Sequence, residues 1–475
     1  MKIEEIVSWL NGIAWGPWML LLLVGTGVYL SCRVGFLQFR KFGYAMKNTI
    51  GKVFQKSEAG EGEVTPFQAV STALAATVGT GNIAGVTGAI CVGGPGAVFW
   101  MWVSALFGMV TKYAEVVLAV RYRERNAQGD WVGGPMYYIR NGLGKGWNWL
   151  ACVFCVLGAL AAFGIGNMTQ VNTIASSINT AIDSFGGSTA AYTVELFGQT
   201  VPISSVMTGC VIAMIVGMVL FGGIKRIGAV AEKMVPVMAA IYIVASLIVV
   251  GGNIGSLGTV FGMIFKGAFS AEAALGGAFG ITIMTTIQKG VGRGVFSNEA
   301  GLGSAPMAHA ASSESDPVKQ GLYGIFEVFM DTIVICTLTA LTLLCGAESG
   351  GVSIVWGQSA GAELISASFS TFFGAQIGSC LVAVGITLFA LSTILSWSLY
   401  GTRCCEFLFG GKIAKVYQVI FVAVVIVGAT LKLDLVWNIA DTLNGFMAIP
   451  NLVALLGLSP VVVKLTRDHF AGSAR

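Results

Sequence analysis

Apolar runs of about 20 residues recur along the whole 475-residue chain and constrain its fold more than any other feature. A helix of that length spans the hydrocarbon core of a bilayer and satisfies its own backbone polar groups there. Only 11% of the residues are charged, against about 25% in soluble proteins. We therefore predict an all-α polytopic membrane protein. Its eleven predicted spans lie near residues 15–32, 66–91, 95–120, 149–182, 202–222, 229–251, 272–290, 321–345, 375–401, 413–431 and 435–463.

Lysine and arginine positions predict the orientation of these spans. With the N-terminus outside, 24 of the 27 Lys and Arg residues fall on the inner side, and Lys2, Lys266 and Lys432 remain outside. Inner loops of membrane proteins carry this excess of positive charge. We expect a multi-pass protein of the cell inner (plasma) membrane with a cytoplasmic C-terminus. The net charge of +4 follows from this bias and does not indicate nucleic-acid binding.

Short connections predict a single membrane domain over residues 1–475. Without the first span, ten spans remain, and five is an odd number, so two five-span halves would enter the membrane from opposite sides. Such inverted repeats are typical of secondary transporters. The predicted parts are a peripheral first helix with a cytoplasmic loop at 1–65, the first repeat at 66–251, the second repeat at 267–465 and a cytoplasmic tail at 466–475.

Two glycine-rich segments open the predicted repeats. They are Thr77–Gly88 (TVGTGNIAGVTG) and Leu275–Gly294 (LGGAFGITIMTTIQKGVGRG), and Asn82 puts a polar side chain near the middle of the first. Close packing of helices through small residues is one interpretation. The other is an interrupted helix, which a membrane protein tolerates where the backbone lines a cavity. An interruption would expose N–H groups that hold a carboxylate and carbonyl groups that coordinate a cation.

Several ionisable residues fall inside or beside predicted spans. Glu327 and Asp331 are four residues apart and share one helix face. They either support the unwound backbone or form a pair that responds to a proton or cation, because ionisable groups at membrane depth are usually functional. Glu299 is predicted in a cytoplasmic loop, as loop structure or as an inner gate. His309 is predicted in the same loop, so we expect no buried histidine relay. Asp441 is predicted to cap or pack.

The segment GGPGAVFWMWVSALFG, Gly93–Gly108, resembles the signature of the alanine-or-glycine:cation symporter family. GTGNIAGVTGAI before it and GVGRGVFSNEAGLGSAPMAHAA, Gly290–Ala311, are also similar to that family. The resemblance covers essentially the whole chain. It implies the leucine-transporter-type fold, with ten core helices in two inverted repeats, a broken first helix in each, and one extra N-terminal helix. It also implies uptake of alanine or glycine coupled to inward Na⁺ flow by alternating access, or alternatively H⁺ coupling or transport of glutamine or serine.

The resemblance further implies roles for individual residues. One cation site is expected, because Ala274 and Gly276 stand where some relatives have polar residues. The residues implied at Na⁺ are the carbonyls of Ala75 and Val78 and the hydroxyls of Ser392 and Thr393. The residues implied at the substrate are Thr80, Gly81, Asn82, Phe163, Asn167, Gln170, Phe279, Thr282, Ile283 and Trp397.

Other functional classes fit the sequence less well. The segment GTGNIAG lacks the preceding strand of a phosphate-binding loop, and no nucleophile–base arrangement emerges, so we expect no enzyme and no organic cofactor. An ion channel would need a continuous polar lining, and a nutrient sensor would need an appended signalling domain. The expected partners are a small neutral amino acid, the co-transported Na⁺ and membrane lipid. We expect a monomer that binds no nucleic acid.

Overall fold

A computed structural model describes residues 3–52, 59–60, 62–196, 198–270, 282–431 and 434–472. The all-α prediction is confirmed in its main part, since two short hairpins are the only strands among these residues. In the described ranges nine helices are long and apolar enough to cross a membrane, and one bent pair makes a tenth. The seventh predicted span, 272–290, lies partly outside the described residues, and its described part belongs to a helix that starts at Ile283 and ends at Asn298.

The helices are numbered in chain order. The first ten are α1 (Ile3–Ala14), α2 (Pro17–Arg33), α3 (Leu37–Arg40), α4 (Phe42–Thr49), α5 (Pro66–Thr77), α6 (Gly81–Gly93), α7 (Ala97–Arg121), α8 (Pro135–Tyr138), α9 (Lys145–Ser184) and α10 (Ile203–Leu220). The others are α11 (Gly223–Gly252), α12 (Leu257–Phe269), α13 (Ile283–Asn298), α14 (Pro306–His309), α15 (Pro317–Glu348), α16 (Ala362–Phe373), α17 (Ala375–Phe409), α18 (Gly411–Thr430) and α19 (Asp434–Gly472). The antiparallel hairpins pair β1 (Glu124–Arg125) with β2 (Trp131–Val132) and β3 (Thr193–Leu196) with β4 (Gln199–Pro202).

Helices α5 and α6 form one span that is interrupted and bent by 48°. A capping box between Thr65 and Gln68 starts α5, and Val78 leaves the helical region with ψ 86° at its end. Glycine destabilises a helix interior, so the Gly-rich sequence that follows lets the helix stop and restart. The predicted interruption in Thr77–Gly88 is therefore confirmed.

The second predicted interruption, in GAFGIT at Gly277–Thr282, falls on residues outside the described ranges except for Thr282. The described helix that follows it ends in a turn at Glu299–Ser304. Helix α13 ends at Asn298, Glu299 adopts φ 55°, and the chain restarts as the short helix α14. Gly301 and Gly303, at φ 94° and 83°, supply the left-handed conformations that this turn needs. The residues 271–281, which include Phe279, lie outside the described residues.

The glycines of α13 serve helix packing. A side chain at Gly290 would collide with Ala97 on α7, and one at Gly294 would collide with Ser104. Small residues at such contacts let two helices approach closely. Both interpretations of glycine thus apply in this protein, interruption between α5 and α6 and close packing in α13.

Main-chain hydrogen bonds join the segment before α5 to the segment after α14 at one end of the molecule. The N–H of Val64, just before α5, donates to the carbonyl of Ala311 at 3.0 Å, and the N–H of Ser313 donates back to Val64 at 2.8 Å. The Arg123 guanidinium donates to the carbonyl of Ser312 at 2.5 Å. We call this end the latch face.

Side chains reinforce the same contact. The Glu63 carboxylate accepts hydrogen bonds from Arg125 at 2.7 Å and from the Trp131 indole at 2.9 Å. The guanidinium groups of Arg123 and Arg125 lie 4.3 and 4.2 Å from the centre of the Trp131 ring, a favourable cation–π distance. We call the carboxylate, the two arginines, the indole and residues 311–313 the latch.

Candidate substrate and cation site

The long helix α17 places two hydroxyls against the end of α5. Ser392 Oγ and Thr393 Oγ1 lie 3.1 and 3.0 Å from the carbonyl oxygen of Ala75, and both also contact the carbonyl of Phe389 at 2.7 and 3.0 Å. All four residues are buried, and the donors are neutral oxygens. Carbonyls at the end of a half-helix, together with hydroxyls, are the ligands that transporters use for Na⁺. The chemistry of this oxygen set fits a small monovalent cation.

The four predicted cation ligands therefore occupy one region of the structure. They are Ala75, Ser392 and Thr393, which are in contact, and Val78, which lies at the end of α5. No contact of the Val78 oxygen with the hydroxyls is found among the described residues. Phe389 was not predicted. Its carbonyl lies one turn before the hydroxyls, so it could have been found from helical spacing alone.

The backbone at the first break is held by one side chain from α9 and one from α6 itself. Gln170 Oε1 accepts hydrogen bonds from the N–H and hydroxyl of Thr80 at 3.3 and 3.0 Å. Asn82 Oδ1 accepts from the N–H of Gly79 at 2.9 Å. A Cβ added at Gly81 would meet the Phe296 ring at 3.6 Å. The start of α6 thus presents a fixed helix N-terminus, where partial positive charge favours a carboxylate.

A cavity of about 540 Å³ begins at this break. It is lined by Thr80, Gly81 and Gln170 at one end and extends along α6 to Val92. Exposed residues, including Glu363, line its far end. The cavity therefore leads from the interrupted backbone to solvent on the side of the molecule opposite the latch face.

Asp331 connects helix α6 with helix α13. Its Oδ1 accepts hydrogen bonds from Asn82 at 2.6 Å and from Ser297 at 3.1 Å, and Oδ2 accepts from Thr332 at 2.7 Å. Asn82 begins α6 and Ser297 ends α13, so one buried carboxylate holds both helices in register. A hydrogen-bonded carboxylate at this depth is strongly constrained in position.

Glu327 lies apart from Asp331 in its contacts. Its carboxylate pairs with Lys112 at 3.2 Å and with His309 Nε2 at 3.1 Å, and all three side chains are fully buried. His309 Nδ1 is hydrogen-bonded to Gln320 at 2.9 Å. His309 lies in the connection between α13 and α15, where a loop was predicted, but the short helix α14 buries its side chain, which was not expected.

Two further carboxylates hold the turn that follows α13. Glu115 Oε1 accepts from the N–H groups of Gly301 and Gly303 at 3.0 and 3.1 Å. Glu299 accepts a hydrogen bond from the Trp397 indole at 2.9 Å and contacts the Ser304 hydroxyl. Sequence reasoning did not find the burial of this turn, for which the run NEAGLGS, with two glycines after an acidic residue, was a usable signal.

Six of the predicted substrate residues that the structure describes do not line the cavity, namely Asn82, Phe163, Asn167, Thr282, Ile283 and Trp397. Phe163 packs against Tyr417 and Phe421 on α18, and Asn167 donates to the Phe421 carbonyl at 2.7 Å. Thr282 and Ile283 are exposed at the start of α13, where Thr282 caps the helix. Their assignment to the substrate stays a prediction.

Trp397 is 1% exposed, and its indole N–H donates a hydrogen bond to Glu299. A side chain at Gly166 would collide with its Cβ, which shows how closely α9 approaches α17 there.

Wide helical turns explain part of this rearrangement. Gly81–Gly85, Gly164–Met168 and Phe329–Cys336 are π-helical. They lie in the first broken span, in α9 and in α15, beside the residues described above. Such turns insert an extra residue and occur often at functional sites. They also rotate every residue that follows them onto a different helix face.

Comparisons with known proteins were consistent over the whole chain. The sequence model of the sodium:alanine symporter family matches residues 1–474. The sodium/alanine symporter AgcS of Methanococcus maripaludis is 46% identical over 470 residues, 98% of this chain and 97% of that protein. An uncharacterized transporter of Haemophilus influenzae is 44% identical over 472 residues, 99% of this chain and 97% of that protein. The probable sodium/glutamine symporter GlnT of Bacillus subtilis is 36% identical over 472 residues, 98% of this chain and 91% of that protein.

A solved structure supports the fold separately. The crystal structure of MhsT in complex with L-phenylalanine superposes with a TM-score of 0.60 and covers 86% of this chain and 99% of that one, at 14% identity. MhsT has the leucine-transporter-type fold, which accounts for an interrupted helix beside a long helix that carries hydroxyls. The chain belongs to the sodium:alanine symporter family.

Proposed function

We propose that this protein is a secondary active symporter that couples inward Na⁺ flow to uptake of small neutral amino acids, alanine and glycine first among them. The main support is the junction of α5 and α17, where Ser392 and Thr393 contact the Ala75 carbonyl next to a cavity that begins at Thr80 and Gly81. Cation oxygens and a helix N-terminus are then adjacent, so each ligand would favour binding of the other.

The assigned roles follow from that junction. Ala75, Val78, Ser392 and Thr393 would hold Na⁺, and the Phe389 carbonyl would join them. Thr80 and Gly81 would bind the substrate carboxylate. Gln170 and Asn82 would position the break, since their contacts are to its backbone. A charge that crosses a membrane potential of 100 mV supplies about 2.3 kcal/mol for accumulation.

We further propose that the latch face is cytoplasmic. Lys289 and Arg293 belong to α13 and line the cavity, which leaves 22 of the 27 Lys and Arg residues on the predicted inner side. The positive-charge bias then keeps its direction. In that orientation the cavity faces outside while the latch closes the inside, as alternating access requires of an outward-facing state. Residues 66–251 and 267–465 would be the two inverted repeats.

Uptake into proteoliposomes tests the proposal. Labelled alanine, glycine, serine and glutamine are offered with an inward Na⁺ gradient, and then with equal Na⁺ on both sides. Saturable accumulation of alanine or glycine that needs the gradient is the expected result. Conductance without saturable uptake would instead indicate a channel, and preferred accumulation of glutamine would place this chain nearer to GlnT in substrate.

A proton-coupled mechanism is the second candidate, supported by the buried contact of His309 with Glu327. A Bacillus subtilis relative that is 34% identical over 479 residues is named a putative sodium/proton-dependent alanine carrier. An inward pH gradient without Na⁺ separates the two mechanisms. Alanine accumulation under that gradient would assign proton coupling, and its absence, together with Na⁺-driven uptake, would assign Na⁺ coupling.

A further inference from the structure

Two cationic side chains of α13 face the cavity. Lys289 and Arg293 lie four residues apart, and both line it. Within the described ranges neither forms a hydrogen bond or an ion pair, and Asp441 is an acidic group whose charge acts on both. The Arg293 guanidinium stacks 4.7 Å from the centre of the Phe296 ring. An arginine with five N–H donors that are not bonded to protein is poised to bind an anion.

The first broken span leaves room for that guanidinium. At Gly85 a side-chain Cβ would come within 3.0 Å of Arg293 Nη1 and 3.1 Å of its Cδ. Gly85 follows Gly81 by four residues, so the guanidinium lies about 6 Å farther along α6 than the break. The space in front of Arg293 is therefore part of the same cavity and separate from the backbone site.

The cavity lining also carries a carboxylate. Asp441 on α19 lines the cavity, interacts with the Asn11 side chain and forms no direct ion pair with the described residues. Its backbone carbonyl is fixed by the indole of Trp15 at 3.0 Å, and Trp15 also lines the cavity. A positive group on α13 and a negative group on α19 thus face one water-accessible space without closing on each other.

We propose that Arg293 and Asp441 form an outer station that binds a zwitterionic amino acid before it reaches the break. This inference rests on the proposed function. The α-carboxylate would pair with Arg293, with Lys289 adding attraction, and the α-ammonium would pair with Asp441. Because charged side chains build this station and Na⁺ ligands do not, it binds amino acid without Na⁺, whereas the backbone site beside the Ala75 carbonyl needs Na⁺.

Binding stoichiometry tests the station. The full chain in nanodiscs is dialysed to equilibrium with labelled L-alanine, with Na⁺ or with choline. The wild type is expected to bind two alanines in Na⁺ and one in choline. Arg293→Gln and Asp441→Asn are each expected to bind one in Na⁺ and none in choline. Lys266→Gln, which removes a positive charge from α12, serves as the matched control and should bind as the wild type does.

Transport supplies a second measurement. Loss of one charge-assisted contact should raise the KM for alanine about tenfold in Arg293→Gln, and Arg293→Lys should restore part of it. Wild-type binding of one alanine in Na⁺ and none in choline would overturn the station. Retention of two sites by Arg293→Gln would also overturn it.

A wrong proposed function can be told apart from a wrong outer station. If the proposed function is wrong, the wild type itself shows no Na⁺-dependent uptake. An inorganic anion is tested by replacing chloride with gluconate. Chloride dependence that disappears in Arg293→Gln, with a single alanine bound by the wild type, would assign the site to chloride and refute the zwitterion.

Discussion

Thr393 Oγ1 lies 3.0 Å from the carbonyl oxygen of Ala75, so a hydroxyl on α17 contacts the last turn of α5 where that helix stops. Ser392 makes the equivalent contact at 3.1 Å. Two hydroxyls from consecutive residues can face one carbonyl only because the helices cross closely at the break. A cation there would link the long helix to the first broken span.

Replacing both hydroxyls should weaken Na⁺ binding. In Ser392→Ala/Thr393→Ala two oxygen ligands are lost, and we expect the Na⁺ concentration for half-maximal uptake to rise about tenfold or more. Na⁺-activation curves of alanine uptake measure this change. Ser398→Ala is the control, since the Ser398 hydroxyl bonds only the Leu395 carbonyl on the same helix. Unchanged Na⁺ activation in the double variant would place the cation elsewhere.

Gly81 should tolerate little bulk. A Cβ there would meet the Phe296 ring at 3.6 Å, an ordinary contact, whereas a longer side chain would enter the cavity where the carboxylate is proposed to bind. We expect Gly81→Ala to keep measurable uptake and Gly81→Leu to abolish it while the protein stays folded. Uptake together with gel filtration tests both points. Normal transport by Gly81→Leu would refute this position for the substrate.

The latch should be insensitive to pH between about 6 and 8. Partial burial raises the pKa of Glu63, but hydrogen bonds from Trp131 and the Gly60 N–H, with the charge of Arg125, outweigh it and leave the pKa lowered. A lowered carboxyl pKa stabilises the folded contact at pH values above the ordinary carboxyl pKa of about 4.3. That stabilisation is lost as the pH falls through the lowered pKa. Protonation of Glu63 therefore falls well below this range.

Amide hydrogen exchange at Val64 and Ser313 measures the latch directly, because their N–H groups form the main-chain pair. After correction for intrinsic exchange, protection should be equal at pH 6 and 8. Glu63→Gln should lose protection at both values. Glu195→Gln, on the exposed hairpin strand β3, should leave it unchanged. Loss of protection at pH 6 in the wild type would contradict the assignment.

Removing one partner of the buried pair Lys112–Glu327 should destabilise the protein more than replacing both partners with apolar residues. Glu327→Gln leaves a buried ammonium without its anion, and we expect a loss of about 3–5 kcal/mol in stability. Lys112→Met/Glu327→Leu removes both charges and should recover most of that loss. Thermal unfolding in detergent compares the variants. A double variant that is no more stable than Glu327→Gln would show that the pair does more than balance charge.

Transport by that double variant separates the two interpretations of Glu327. We expect Na⁺-driven uptake to persist, because the contacts of Glu327 are to Lys112 and His309 rather than to the break. Glu115 instead supports the turn that follows α13, where it accepts hydrogen bonds from the N–H groups of Gly301 and Gly303. A stable double variant without uptake would assign Glu327 to coupling.

The sequence predicted the first break well, because Gly79, Gly81 and Asn82 are all unfavourable in an apolar helix and stand together. The second predicted break, in GAFGIT, lies outside the described residues except for Thr282. The sequence predicted SNEAG as a loop between spans, and the structure places Glu299 in a buried turn between α13 and α14, where Trp397 and Ser304 donate hydrogen bonds to it. Lys289 and Arg293 were predicted on the inner side, whereas α13 places them beside the cavity.

Side-chain direction was the part that sequence could not supply. Gln170 faces the break, whereas Asn167 and Phe163 face α18. The π-helical turn at Gly164–Met168 separates Phe163 from Gln170, and an extra residue in a turn shifts the following face by about 100°. No pattern of apolar residues reveals such a turn. Face assignments beyond it therefore depended on coordinates.

The main-chain bridge of Val64 with Ala311 and Ser313 has a consequence for release through the latch face. Peptide groups, unlike side chains, cannot swing aside individually, so both halves of the protein must separate together before anything passes. We therefore expect ion and amino acid to depart through one shared exit in a single event, which would keep their fluxes in fixed proportion.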